Sequence, residues 1–311
     1  MTNAPLVALE TIDLSFCIVS FNAREVLSGC LRAIESQLAG RVGYEVIVVD
    51  NDSEDGSAGV IASKFPWVKL VRNDYNAGFA AATNQAIRLS KGRYITWLNA
   101  DTLFLDDSIT ALVHYLDQNP NVGVVGPMVL NADHSFQKQC KRGMPTPLAS
   151  LCYFLRLDRL FPGSRLAGQY LLSFVPEDMV AEVAAVSGCC LVTKRELIDQ
   201  IGLLDEGMFS DGEDIDWCVR AAKAGWRVVY CPTARLIHLY GQGGSKSRPF
   251  RRIRARHEAM WVFYQKHLRQ HDVLAVALAV RLGIGLHLGA AFLGTFVSRI
   301  SHLKTLIRSR A

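Results

Sequence analysis

The sequence predicts an α/β fold: a doubly wound, mostly parallel sheet flanked by helices, followed by a helical tail. Three observations point there. Short apolar runs alternate with amphipathic helical patterns from residue 14 onward. Two of these runs stop abruptly at an acid, Asp50 and Asp101. Strand ends of this kind face the ligand crevice of an open α/β sheet. Near the C-terminus, Val273–Val297 is mostly Leu, Val, Ala and Gly.

Residues 1–13 read as a loose leader with no basic-then-apolar secretion signal. Leu14–Ser20 reads as the first strand and Val26–Gln37 as a helix. Tyr44–Asp50, YEVIVVD, is a strand buried on both faces. The turn Asn51–Gly56 opens a helix over Ser57–Phe65, and Val68–Arg72 is a third strand. An Ala-rich helix, Ala80–Ser90, leads to the strand Tyr94–Asn99. After it, Asp101 is either a hard oxygen ligand for a cation or the cap of a helix over Leu103–Tyr115. Val122–Val125 adds a strand. Met144–Pro147 breaks the pattern before a helix over Leu148–Leu160, within an irregular insertion that would line an acceptor site. Order returns at Val183–Thr193, where Ser187-Gly188 marks either a bulge or a close approach. Arg227–Cys231 is a late strand leading through His238 to a Gly-rich loop.

Composition narrows the function. Of 311 residues, 50% are hydrophobic and 20% charged, enough for a sizeable core. None of the eight cysteines forms a CxxC pair; buried free thiols in a reducing compartment are expected. The net charge of +5 divides unevenly, −6 over residues 1–245 and +11 over 246–311. Such a basic tail suits phosphate-rich partners or an anionic membrane surface. No nucleic-acid motif accompanies it. The first strand is followed by no G-x-G-x-x-G, and no P-loop lysine is present. Carboxylates without a glycine-rich cradle point to a nucleotide-sugar enzyme working through a metal.

A second acidic cluster, Phe209–Arg220, reads FSDGEDIDWCVR. Helix-dipole effects account for one or two of its acids. Asp214 or Glu213 could serve as a general base. Trp217 and Trp226 are expected in the core. His238 is either structural or a metal or phosphate ligand. Lys246, Arg248, Arg251 and Arg252 could close over a diphosphate or form a solvated, membrane-facing strip.

These segments occur in a family order. VSFN at Val19–Asn22, VVDNDSEDGS at Val48–Ser57, NAGFAAATNQA at Asn76–Ala86 and LNADT at Leu98–Thr102 come first. SGCCLVTKRE at Ser187–Glu196, GLLDEGMF at Gly202–Phe209, GEDIDWCVR at Gly212–Arg220 and HLYG at His238–Gly241 follow. Together they resemble the family 2 glycosyltransferases, and within them the rhamnosyltransferase-like branch. The resemblance implies a GT-A fold and inverting transfer of a sugar, L-rhamnose by branch similarity, from a dTDP-, UDP- or GDP-sugar. It implies a saccharide or polyprenyl-linked acceptor, in cell-surface polysaccharide synthesis at the cytoplasmic face of the cell membrane. It assigns nucleotide-sugar binding to Ser20, Phe21, Asn22, Asp50, Asp52, Asn76, Gly78, Asn99 and Asp101. Asp101 and His238 would hold a divalent metal, Mg²⁺ or Mn²⁺. Asp214 matches the general base and Glu213 its neighbour. Residues 14–130 would then form the nucleotide-sugar half, and 131–245 the acceptor half, of one domain. Two departures stand out: Ala100 replaces the usual Pro, and Ser210-Asp211-Gly212 replaces the aromatic before the acidic pair. A sugar-phosphate nucleotidylyltransferase expects a Gly-rich loop with Arg where Phe21-Asn22-Ala23 stands. A non-catalytic, membrane-tethered nucleotide-sugar binder expects the acids to be lost, and they are present.

In the tail of residues 246–311, Val273–Val297 is long enough to span a bilayer. Arg281 at its middle disfavours a lone span. Arg281, His287, Thr295, Ser298 and Arg299 share one helical arc with Ile284, Leu288 and Ala291. In-plane membrane attachment is the favoured reading, ahead of a tilted span or hairpin and of a soluble oligomerisation helix.

Overall fold

A computed structural model of the chain describes residues 12–38, 41–161, 163–241 and 249–308. The Lys246 and Arg248 of the Gly-rich loop, and most of the leader, lie outside the described residues. The first half follows the alternation of the sequence. Strand β1 (Leu14–Ser20), helix α1 (Arg24–Leu38), β2 (Tyr44–Asn51), α2 (Ser57–Lys64), β3 (Lys69–Asn73), α3 (Phe79–Leu89) and β4 (Tyr94–Asn99) succeed one another. All four strands run parallel, in the spatial order β3-β2-β1-β4. Buried side chains on both faces explain why β1, β2 and β4 read as largely hydrophobic runs, while β3 is a part-exposed edge. The order reverses between β1 and β4, which places a crevice at their carboxyl ends. There Ser20 pairs in register with Asp50, and Val19 with Asn99.

The second half departs from the parallel pattern. The expected helix over Leu103–Tyr115 is instead strand β5 (Thr102–Leu105) followed by α4 (Ser108–Gln118). The apolar TLFL run gains more from pairing than from helix formation, because β11 (Arg227–His238) lies antiparallel to it. Between them in sequence come β6 (Val122–Leu130), β7 (Lys141–Arg142), α5 (Pro147–Phe154) and α6 (Leu157–Leu160). Arg156, left-handed with φ +55°, breaks the expected Leu148–Leu160 helix in two. Then come β8 (Ala181–Glu182), β9 (Ala185–Val186), β10 (Cys190–Lys194), α7 (Arg195–Ile201) and α8 (Glu213–Lys223). The expected strand Val183–Thr193 is thus interrupted at residues 187–189. Strand β10 runs antiparallel between β4 and β6, and β8 pairs antiparallel with β11. The nine-stranded sheet is therefore mixed, with six of its strands running one way. Strand β11 continues well past the expected Cys231, bulging between Cys231 and Arg235 beside Pro232. His238 is its last residue rather than part of a following loop.

All eight cysteines are free and buried. Trp217 stacks edge-on against Trp97 at 4.8 Å, and both are buried core residues. Trp226 donates to Gln200 and lies beneath Lys194.

Two helices close the chain: α9 (Pro249–His267) and α10 (Leu274–Arg308). Helix α9 grips α8 by charge. Asp216 is wholly buried and accepts from His267 Nε2 at 2.7 Å and Arg220 Nε at 3.0 Å, with Lys266 Nζ at 2.9 Å. Burial raises its carboxyl, but His267, Lys266 and Arg220 together hold it down at about 2. That difference from the ordinary carboxylate is stability present above pH 4 and lost as the pH falls towards 2. Asp216→Asn is expected to lower the free energy of unfolding by about 2 kcal/mol at pH 7. The gap from wild type narrows below pH 4, as urea titrations at stepped pH would show.

Candidate active site

The carboxyl edge of the sheet gathers residues that the family resemblance assigns to the nucleotide sugar. Asp50 and Ser20 are buried, and the Asp50 Oδ2 and Ser20 Oγ atoms have no hydrogen-bond partner. These two orphaned polar atoms, from residues paired across neighbouring strands, leave hydrogen-bonding capacity unmet at the carboxyl edge of the sheet. The other Asp50 oxygen accepts from the Ser53 amide at 3.0 Å. Asn22 and Asp52 are both left-handed, with φ of +48° and +70°. The Asn22 carboxamide oxygen accepts from Glu54 N, and its own amide donates to Ser53 Oγ. It shapes this edge of the sheet, beside half-buried Phe21 and Asp52.

An asparagine cluster sets the next loop. Asn51 donates to Asn76 Oδ1 and the Gly78 carbonyl, and accepts from Asn73 and the Ala77 amide. Asn76 caps the same turn by accepting from Gly78 N. Gly78 has φ +92°, and a Cβ there would stand 2.7 Å from the Phe209 carbonyl. The Phe79 amide donates to that carbonyl at 2.7 Å. The donor-side loop thereby touches the segment leading to the second acidic cluster.

Asp101 and His238 meet because β5 and β11 pair: Thr102 is in register with His238. His238 Nε2 lies 3.2 Å from Asp101 Oδ1 and 3.3 Å from Asn99 Nδ2. Its Nδ1 faces Gln137 Oε1 at 3.2 Å, and the Gln137 amide donates to the His238 carbonyl. Burial lowers the imidazole, but the Cys189 sulfur and the Asp101 carboxylate outweigh it, and the ring is pushed up to about 10. This donor set fits a divalent cation. Once the ring gives up its Nε2 proton to a binding cation, a hard carboxylate and an imidazole nitrogen lie at one point, and Nδ1 already faces the Gln137 carboxamide.

The acidic pair opens α8, and its two members have opposite surroundings. Asp214 Oδ2 accepts from Arg142 Nη2 at 2.6 Å and Gly188 N at 2.7 Å. Its Oδ1 accepts from the Ile215 amide at 2.7 Å and faces Arg142 Nη1 at 3.5 Å. Gly188 is thus a close approach, with an added Cβ only 3.1 Å from that of Asp214. Glu213 is buried beside it, and its Oε2 has no partner. Burial, then the charges of Asp214 and Asp211, raise the Glu213 carboxyl well above the usual range.

Both sub-sites share the 187–189 turn. The Asn99 amide donates to the Cys189 carbonyl at 2.9 Å, while the neighbouring Gly188 amide holds Asp214. Asp101, His238, Glu213 and Asp214 are thereby joined around one turn, with Asp50 and Ser20 two strands across. Sequence reasoning missed Arg142 and Gln137. Each lies in the irregular insertion, and neither belongs to a patterned motif; a lone arginine in QCKRG carries no signal of its acidic partner.

A mixed, mostly parallel sheet flanked by helices, with acids at its carboxyl edge, is of the GT-A type. Similar solved structures share it: a mannosyltransferase from Pyrobaculum calidifontis in complex with GDP-Man and Mn²⁺ has a TM-score of 0.56 at 20% identity, over 93% of this chain and 75% of that one. The structure of GalNAc-T7 with UDP, GalNAc and Mn²⁺ has a TM-score of 0.55 at 17% identity, over 89% of this chain and 55% of that one. Residues 15–169 match the model described as Glycosyl transferase family 2. An N-acetylglucosaminyl-diphospho-decaprenol L-rhamnosyltransferase of Mycobacterium tuberculosis is 27% identical over 237 residues, 73% of this chain and 76% of the relative. A low-salt glycan biosynthesis hexosyltransferase of Haloferax volcanii is 24% identical over 73% of this chain and 67% of its own length. The chain belongs to the family 2 glycosyltransferases.

The Arg142–Asp214 pair is buried on both sides. Removing one partner of such a pair strands the other charge. Arg142→Met is expected to cost on the order of 3 kcal/mol in urea unfolding, while Arg142→Met combined with Asp214→Asn recovers part of that loss.

Proposed function

We propose that the enzyme transfers a sugar, L-rhamnose in the leading case, from a nucleotide-diphosphate donor to a lipid-linked saccharide, inverting the anomeric centre. The observation that carries this reading is the pair of contrasting acids, clamped Asp214 and open Glu213, beside the Asp101–His238 pair. Asp50 and Ser20 bind the ribose or base with their unpartnered atoms. Asn22, Asn76 and Gly78 hold the loops that frame the nucleotide, with Phe21, Asp52 and Asn99 along its edge. Asp101 and His238 hold a divalent metal, and a Mg²⁺ or Mn²⁺ ion there would offset charge on the departing diphosphate. Among the described residues no cluster of three His, Cys, Asp or Glu side chains forms a complete cage.

Asp214 takes the acceptor proton. Arg142 and Gly188 fix its orientation, leaving Oδ1 as the less crowded oxygen. The acceptor oxygen attacks the anomeric carbon as the bond to the diphosphate breaks on the opposite face, and the proton passes to the Asp214 carboxylate. Glu213, its carboxyl raised by burial and by the charges of Asp214 and Asp211, lies beside the base with an unpartnered Oε2 for the acceptor. The relative acting on N-acetylglucosaminyl-diphospho-decaprenol supports a polyprenyl-linked acceptor.

The tail supports attachment in the membrane plane, and the proposed face is the cytoplasmic one. The polar arc of α10 faces the protein: Arg281 lies over Trp261 at 4.8 Å, and His287 bonds His257 at 2.7 Å. Phe250 stacks on Phe292 further along. Helix α9, with Arg251, Arg252, Arg254 and Arg256, therefore accompanies α10 over this length. A bilayer core would not accept that charge.

Two measurements test the reading. Calorimetry with UDP, dTDP and GDP is expected to show metal-dependent binding of one diphosphate, lost in Asp101→Ala. In Asp214→Asn that binding persists while transfer falls by roughly 10²–10⁴; binding of none by folded wild type would refute the proposal. For Glu213, a raised carboxyl costs stability as pH climbs above about 4.5. Glu213→Gln is expected to raise the thermal midpoint relative to wild type at pH 8, with the two converging near pH 4.5 in a scanning series.

A further inference from the structure

The segment from Pro147 to Leu166 is an exposed apolar surface with no role in the reaction above. Leu148, Leu151, Leu155, Leu160, Phe161 and Leu166 are each more than half exposed. Leu148, Leu151 and Leu155 recur at helical spacing along α5 and form one stripe. Contiguous exposure of this kind marks an interaction surface. Helix α10 presents a second one: Leu278, Leu282, Leu286 and Leu293 point away from α9 and are more than half exposed. Helices α5 and α10 touch, because the Phe154 ring packs on His287 at 4.3 Å, so the two exposed apolar surfaces belong to neighbouring elements. Charge selects the partner. Arg156, Arg159 and Arg165 are interspersed with the apolar residues and exposed, and form no ion pair among the described residues. The sole acid between 147 and 166, Asp158, is buried. Apolar side chains interleaved with unpaired arginines fit the headgroup boundary of an anionic bilayer.

We propose that Pro147–Leu166 inserts into the surface of an anionic membrane, as a second lipid contact continuous with α10. The inference rests on the attachment of α10 proposed above and adds to it a contact on the acceptor side. Pro147 follows Arg142 by five residues, a reach of at most about 17 Å, and Arg142 holds Asp214. The segment thus brings the headgroup plane to the general base, where a lipid-linked diphosphate would emerge. Residue 155 becomes a depth probe of the membrane.

The native thiols are all buried, so an introduced surface cysteine accepts a nitroxide selectively. Full-length Leu155→Cys and Leu286→Cys proteins, spin-labelled, are mixed with vesicles of phosphatidylethanolamine and phosphatidylglycerol, and with phosphatidylcholine alone. Collisions with oxygen and with a water-soluble nickel chelate are then compared. Both labels are expected to become oxygen-accessible and chelate-protected on the anionic vesicles, and Arg156→Glu/Arg159→Glu to weaken vesicle binding at least tenfold. Protection at 286 with 155 still open to the chelate overturns this inference and leaves the α10 attachment standing. Protection at neither site, in folded protein, overturns both. Protection at 155 without lipid, rising with protein concentration, assigns the surface to a second copy of the chain and overturns the proposal.

Discussion

The buried ion pair between Arg142 and Asp214 is the constraint on which the second half of the molecule depends. Two charges removed from water are costly unless their geometry and remaining hydrogen bonds are good. Here the remaining bonds come from two separate segments, residues 186–188 and the start of α8. Arg142 also donates to the Val186 carbonyl at 2.6 Å, and Gly188 and Ile215 amides complete Asp214. Satisfying the pair therefore fixes β7 against β9, turns the chain at residues 187–189 and sets the start of α8. Strand β10 leaves that turn in the reverse direction, which accounts for its antiparallel place between β4 and β6. A structural requirement and the placement of the acidic pair are one and the same arrangement.

Helix α9 braces the other side of the acidic segment. Arg251 lies over the Phe209 ring at 4.4 Å, and Arg256 reaches Asp211 at 3.3 Å, with Arg252 at 3.7 Å. Ala259 leaves room for the positive φ of Gly212 but for little more. This contact network explains the departure at Ser210-Asp211-Gly212. The position that carries an aromatic in the branch carries here an acid that reads the basic helix, and a glycine that lets the helix approach. The basic excess of the tail, +11 over residues 246–311, is therefore partly internal, matched to acids of the domain it follows.

Legibility in the sequence tracked how local the deciding interactions were. Leu14–Ser20 and Tyr94–Asn99 were placed to the residue, because a parallel strand buried on both faces announces itself by composition alone. The acids at the strand ends were legible for the same reason. Thr102–Leu105 was not, since its conformation is decided by a partner more than a hundred residues away. The same pairing brings His238 to Asp101, so their meeting followed from the family pattern and not from spacing. Arg142 and Gln137 stayed hidden because their roles are defined wholly by what they touch. The break at Arg156 depends on a left-handed residue that no glycine signals.

Helix α10 is arranged inside out compared with a helix on the surface of a water-soluble domain. Arg281 and His287 turn inward to meet Trp261 and His257, and Leu278, Leu282, Leu286 and Leu293 point outward. The two faces therefore meet different selective pressures. Packing against α9 demands shape and hydrogen-bond complementarity, so changes at Arg281, His287 or Phe292 would be tolerated only in concert with their partners. A fluid hydrocarbon neighbour makes no such demand. Along Leu278, Leu282, Leu286 and Leu293 any residue of sufficient hydrophobicity serves, and this stripe is free to drift among Leu, Ile, Val, Met and Phe.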